Sequence, residues 1–147
     1  MPDYKNGQIY RLWSPHTDKI YIGSTCNMLA KRFHEHFNGY KKFLKGTTNY
    51  TSSYKLFELG MDDVKIELIE LCPCYSRAEL NRREGELIRL HKDNIVNLHN
   101  AGLTRQEYEH ENKEKIYNKF KKYKHDWYIA QKEKKAQLLS NGSVSLE

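Results

Sequence analysis

Six polar side chains carry the chemistry this chain can do: Tyr10, Tyr21, Arg32, His36, Glu84 and Asn97. Hydrolysing a phosphodiester needs a deprotonated water, charge relief at the phosphorus oxygens and a route for the leaving oxygen. Glu84 offers a hard oxygen ligand, and a Mg²⁺ held by a lone carboxylate keeps most of its waters, as that ion prefers. Arg32 is planar and permanently charged, a fork that fits phosphate oxygens and that lysine does not reproduce. Each residue has a plainer reading. The two tyrosines suit a cross-strand aromatic pair, Arg32 and His36 suit a solvated helix face, and Glu84 suits one more surface acid in Arg82-Arg83-Glu84-Gly85-Glu86. Their joint occurrence in order, with strands and helices between them, favours a catalytic site.

The elements that must position these groups follow from patterning. Residues 9–13 and 19–23 are short, β-branched and aromatic. Ser14-Pro15-His16-Thr17-Asp18 between them carries turn residues, so the two segments read as a hairpin with a tyrosine on each strand. Apolar residues at 28, 29, 33 and 37 give a helical repeat with Asn27 as N-cap. On that helix Arg32 and His36 are four apart and share a face. Residues 41–50 read as a polar loop, and 52–59 as a short helix closed by Gly60. Residues 64–71 alternate as a third strand with one buried face. Ser76 with Glu79 forms a capping-box pair that opens a helix to about His91, which carries Glu84. Gly85 inside that helix costs up to about 1 kcal/mol and marks close packing or ligand approach.

Gln8-Ile9-Tyr10 and Tyr21-Ile22-Gly23, with ten residues between them, resemble the paired tripeptides of the GIY-YIG nuclease family, Gln8 standing where the family name has Gly. The resemblance continues through Leu29-Ala30-Lys31-Arg32-Phe33-His34-Glu35-His36, which looks like the family's first helix with Arg32 at the catalytic arginine position. It continues again through Leu80-Asn81-Arg82-Arg83-Glu84-Gly85-Glu86-Leu87-Ile88, which places the metal-binding carboxylate on Glu84, and ends on Asn97 as the closing asparagine. It covers roughly the first hundred residues. It implies a DNA endonuclease of homing or restriction type, from a phage, large DNA virus or mobile element, with Mg²⁺ or Mn²⁺ as cofactor. It also implies that Tyr10 lies beside the attacking water, with Tyr21 and His36 in the same cluster. Gly23, Lys31 and Asn97 support the site, Asn97 from its far side. A phenol with a pKa of about 10 needs help to ionise. Lys19, Lys31 or His36 can supply it as a nearby cation, His36 can accept the proton through Tyr10, and Tyr21 is the alternative base. The rival readings are an inactive or architectural DNA-binding protein on the same fold and an RNA-cleaving nuclease.

Bulk properties agree with an anionic partner. The chain has 147 residues and a formal charge of +6, enough for one ordinary domain with an appendage. We therefore expect an α/β (α+β) domain over residues 5–102, a three-stranded antiparallel sheet flanked by helices. A long basic helical extension follows over 103–139, and a disordered polar tail over 140–147. In the extension Ile116, Phe120, Tyr123, Trp127 and Ala130 form a stripe. Six lysines, Lys113, Lys115, Lys119, Lys121, Lys122 and Lys124, crowd its sides against Glu114 alone. With Arg32 they are the candidate nucleic-acid contacts, and duplex DNA is the expected partner. Three cysteines and no apolar leader point to reduced thiols in an intracellular setting. Cys72-Pro73-Cys74 has the wrong spacing for zinc and reads as a turn. No membrane span and no small-molecule cofactor are expected, and a monomer is the simplest state.

Overall fold

The computed structural model describes residues 1–144. Two compact units divide the chain, Met1–Leu103 and Thr104–Glu147. In the first, β1 (Gln8–Ser14), β2 (Thr17–Thr25) and β3 (Lys65–Leu71) form an antiparallel sheet in the order β2-β1-β3. Ser14 pairs with Thr17, so the hairpin turns on Pro15 and His16 alone. The sheet carries α1 (Leu29–Leu44), α2 (Tyr54–Phe57) and α3 (Arg77–Leu90), giving the α+β arrangement expected of it.

The central strand shows why both faces of the sheet are covered. Ile9, Tyr10 and Leu12 have no exposed surface. Successive side chains point to opposite faces, so Tyr10 and Leu12 join Tyr40, Tyr54, Leu56, Phe57, Val64 and Val96 in one core cluster. Ile9 joins Ile22, Leu80, Leu87 and Ile88 in the other. Strand β3 differs from the single buried face expected of it. Ile9 pairs with Glu70 and Tyr10 with Leu68, which leaves Ile69 as the extra residue of a bulge. Ile66 packs against the first cluster and Ile69 against the second, because helices cover both sides.

Helix α1 also departs from expectation. Met28, not Asn27, is its N-cap, and no side chain caps it; the Asn27 N–H donates instead to Thr25 Oγ1. The helix runs on through residues expected to be loop. Near its end Tyr40 stacks on Phe43 and Phe57, and both Tyr40 and Phe43 meet the Tyr54 ring at a tilt, aromatic burial that holds the added turn helical. Helix α3 opens at Ser76, whose Oγ accepts from the Glu79 N–H as expected, while the Glu79 carboxylate accepts from the Tyr75 N–H and so completes the expected capping box one residue early. At Gly85 a Cβ would come within 1.9 Å of the Ala101 carbonyl oxygen, so that glycine serves helix packing.

In the second unit Thr104 and Glu107 form a capping box that starts α4 (Arg105–Glu111), and α5 (Lys113–Val144) follows. The extension is thus two helices, separated at Asn112. Helix α5 continues through residues 140–144, where a disordered tail was expected. Residues 145–147, the rest of that expected tail, lie outside the described residues. Among the described residues no helix is long and apolar enough to cross a membrane. Cys26, Cys72 and Cys74 are free thiols, and the Cys72 and Cys74 N–H groups donate to the Gly7 and Tyr4 carbonyls, tying down the turn between β3 and α3.

Candidate active site

The hairpin register places Tyr10 directly opposite Gly23 and Leu12 opposite Tyr21. Opposed residues on antiparallel strands share a face, so both tyrosines point to the side on which α1 lies. Glycine at 23 is a spatial requirement: a Cβ there would stand 2.6 Å from the Tyr10 hydroxyl and 3.0 Å from Tyr21 Cε1. The space a side chain would fill holds the Tyr10 ring.

Helix α1 delivers Arg32 and His36 to that ring from successive turns. Arg32 Nε donates to Tyr10 Oη at 2.9 Å. Tyr10 Oη and His36 Nε2 are 2.6 Å apart, and His36 Nδ1 and Ser53 Oγ are 3.1 Å apart. With Arg32 donating to the Tyr10 oxygen, the His36 tautomer protonated on Nδ1 is the one that lets Nε2 accept from the Tyr10 hydroxyl while Nδ1 donates to Ser53 Oγ. The result is a buried hydrogen-bonded line from Arg32 through Tyr10 and His36 to Ser53.

Electrostatics fix the resting protonation of this line. Burial first, and the adjacent Arg32 cation second, hold His36 down to about 3, so it is neutral. It is therefore not a cation that favours phenolate. That role falls to Arg32, whose charge and hydrogen bond oppose the strong upward push of burial on Tyr10. Lys19 and Lys31, the other cations considered, are exposed and make no hydrogen bond to Tyr10. Arg32 also pairs through Nη1 with Glu35 Oε2 at 2.7 Å. Its Nη2 has no hydrogen-bond partner among the described residues.

Tyr21 differs from Tyr10 in its exposure. Its ring meets His36 edge to face at 5.4 Å between centroids, yet it keeps some exposed surface, and its hydroxyl has no hydrogen-bond partner among the described residues. Burial raises its pKa and the Glu84 charge raises it further, which puts Glu84 within electrostatic reach. Glu84 itself, from α3 on the other side of the sheet, accepts a 2.5 Å hydrogen bond from Ser24 Oγ. Burial pushes its pKa up, against the pull of Ser24 and Arg32. Asn97 braces β2 from outside: Oδ1 accepts from the Ile22 N–H at 2.9 Å and Nδ2 donates to the Ile22 carbonyl at 2.8 Å.

The structure thus brings together Tyr10, Tyr21, Arg32, His36 and Glu84, with Gly23 and Asn97 shaping their frame, and leaves Lys31 outside their hydrogen bonds. The six lysines of α5 belong to the second unit and are exposed. Ser24, Glu35 and Ser53 were not among the residues the sequence singled out. Ser24 and Glu35 sit inside the motif segments, one beside Gly23 and one beside His36. Ser53 lies at the start of the short helix read over 52–59, where nothing local marks it as a partner of His36.

Among the described residues no group of three or more His, Cys, Asp or Glu can hold a metal ion. The carboxylate that the sequence marks for this role, Glu84, is half removed from water. That suits a hydrated Mg²⁺ or Mn²⁺, which takes one or two carboxylates plus substrate and water oxygens, and does not suit the closed cage of a structural zinc.

The family model of the GIY-YIG catalytic domain matches residues 6–100. A single-site mutant of the catalytic domain of the intron endonuclease I-TevI, solved as a structure, superposes with a TM-score of 0.51 at 23% identity. The match covers 67% of this chain and 98% of that one. At that identity the likeness shows the fold. No curated protein matches the chain.

Proposed function

The chain belongs to the GIY-YIG family of nucleases, and from that premise we propose a divalent-metal-dependent endonuclease of homing or restriction type acting on duplex DNA inside cells. The observation that carries the reading is the hydrogen-bonded line Arg32–Tyr10–His36–Ser53 with the half-buried Glu84 within electrostatic reach. A merely structural tyrosine pair has no need of a buried, neutral histidine poised to take a phenol proton.

The residues divide the work by geometry. Arg32, with Nε and Nη1 held by Tyr10 and Glu35, has Nη2 to offer a phosphate oxygen. Glu84 would hold the metal ion, which when bound supplies charge relief at the phosphate and the leaving oxygen. A neutral phenol can take a proton from water only by passing its own on, and Tyr10 alone has an acceptor in line, His36 Nε2. Tyr10 thus gives its proton to His36 as it receives one from water. That transfer is uphill while Arg32 is uncompensated. An arriving phosphodiester offsets the Arg32 charge, the second of the two causes that depress His36.

A second reading rests on Tyr21, whose hydroxyl is already open. Replacing each tyrosine by phenylalanine separates the two. We expect Tyr10→Phe to lose at least about a hundredfold in rate, with Tyr21→Phe less affected; the reverse order moves the base to Tyr21. The class of enzyme is tested by incubating the protein with supercoiled plasmid and with RNA, each with and without Mg²⁺. Nicked or linear plasmid only with the ion supports the proposal. Plasmid cut equally well in chelator refutes the metal requirement, and cleavage of RNA alone refutes the substrate.

A further inference from the structure

Helix α5 carries a feature that phosphate binding does not explain. Ile116, Phe120, Tyr123, Trp127 and Ala130 repeat at spacings of four and three. The first four are 42%, 58%, 67% and 58% exposed. The repeat averages 3.5 residues, the period of a helix whose seam faces another helix. Between Phe120, Tyr123, Lys124 and Trp127 the surface is hollowed by a concavity of about 250 Å³, room for a side chain inserted from outside.

We propose that this stripe is a self-association surface, on which α5 packs against α5 of a second copy in antiparallel orientation. Side-chain size and charge both select a second copy and this direction. In an antiparallel pair Ile116 lies against Trp127 of the second copy, Phe120 against Tyr123 of the second copy and Ala130 against the Lys113 stem of the second copy, so the bulkiest ring meets a smaller side chain instead of itself. A parallel pair stacks Trp127 on Trp127 and leaves Ile116 on Ile116. At the seam's flanks, antiparallel packing sets Lys119 beside Asp126 of the second copy, twice by symmetry. It also sets Tyr117 beside Lys124 of the second copy, a cation over an aromatic ring. Parallel packing sets Lys119 beside Lys124 of the second copy, also twice. Lys115, Lys121 and Lys122 fall on the outer side of the pair and remain open to phosphates. An isologous dimer of this kind holds two nuclease units in one particle.

Sedimentation equilibrium of the full 147-residue chain from roughly 1 to 200 μM, a range that brackets micromolar association, tests this. A dimer is expected to form as concentration rises. Lys119→Asp, which sets like charges beside Asp126 of the second copy, is expected to weaken it roughly tenfold. The double variant Lys119→Asp/Asp126→Lys restores it. Both are exposed substitutions on a helix, and far-UV circular dichroism confirms that helicity is kept. A monomer throughout the range overturns the proposal, as does a dimer that Trp127→Glu leaves intact. A dimer tightened by Lys119→Asp overturns the antiparallel arrangement.

Discussion

Adding one methyl group at Gly23 tests the whole geometry of the site. In Gly23→Ala the new Cβ would lie 2.6 Å from Tyr10 Oη and 2.7 Å from its Cζ. Carbon contacts are favourable only from about 3.5 Å, so the ring has to retreat by about 1 Å. Tyr10 has no exposed surface, and its hydroxyl is pinned by His36 at 2.6 Å and Arg32 at 2.9 Å. The retreat therefore breaks hydrogen bonds or displaces α1. Overpacking of this kind costs about 1–3 kcal/mol, a fall in melting temperature of roughly 5–15 °C for a unit of about 100 residues. A misplacement of about 1 Å lowers turnover about a hundredfold. Calorimetry and initial rates of plasmid nicking read the two effects separately. In a Tyr10→Leu background, where the phenol is gone, the alanine is expected to cost far less stability. A Gly23→Ala protein that melts with the wild type and cuts within threefold of it would show that the glycine does not make room for Tyr10, and the reasoning fails.

Three further outcomes follow from the charges. Glu84→Gln is expected to abolish cleavage and Mg²⁺ binding by calorimetry while DNA binding persists. Burial raises the Glu84 pKa, so the folded state is stabilised by the neutral form and loses that advantage as pH rises past the ordinary carboxylate range. The metal-free glutamine variant is accordingly expected to melt no lower than wild type near neutrality, and a large fall there contradicts the assignment. For His36, held down from 6.5 to about 3, the unfolded chain binds the proton first. Stability therefore declines as pH falls from about 6.5 toward 3, and His36→Gln is expected to flatten the denaturant-derived slope across that window. A chain ending at Gly102 is expected to fold and cleave but bind DNA with a shallower salt dependence, by about 0.9 in log–log slope for each phosphate that the α5 lysines neutralise; an unchanged slope means that those lysines neutralise none.

Most of the fold was legible because the signals are local. The β-branched and aromatic residues of β1 and β2 around a run of turn residues, the Ser76–Glu79 cap and the four-residue step from Arg32 to His36 each depend on neighbours in sequence. What escaped is long-range. The added turn of α1 exists because Tyr40 finds Tyr54 and Phe57 and Phe43 finds Tyr54, and β3 buries side chains on both of its faces because helices cover both sides of the sheet. Asn27 looked like a cap by type, but Thr25 engages its N–H before the helix starts. In the site, the neutral state of His36 was not readable, since it comes from burial and from Arg32. Ser53 was invisible as a site residue because its partner lies 17 residues away on another helix.

Asn97 grips the backbone of Ile22 across 75 residues of chain, and that separation has a kinetic meaning. During synthesis the hairpin bearing both tyrosines leaves the ribosome long before its outer edge can be closed. At about 5–20 residues per second, several seconds pass while the free edge of β2 shows unpaired backbone groups to every other nascent strand, a recognised route to mispairing. Contacts so distant also slow the folding search itself. A nuclease whose hairpin edge is closed only when residue 97 arrives is therefore a late-maturing one: substitutions that weaken the Asn97 clamp are expected to show first as poor soluble yield in rapid expression at high temperature, before any purified protein reveals a loss of rate.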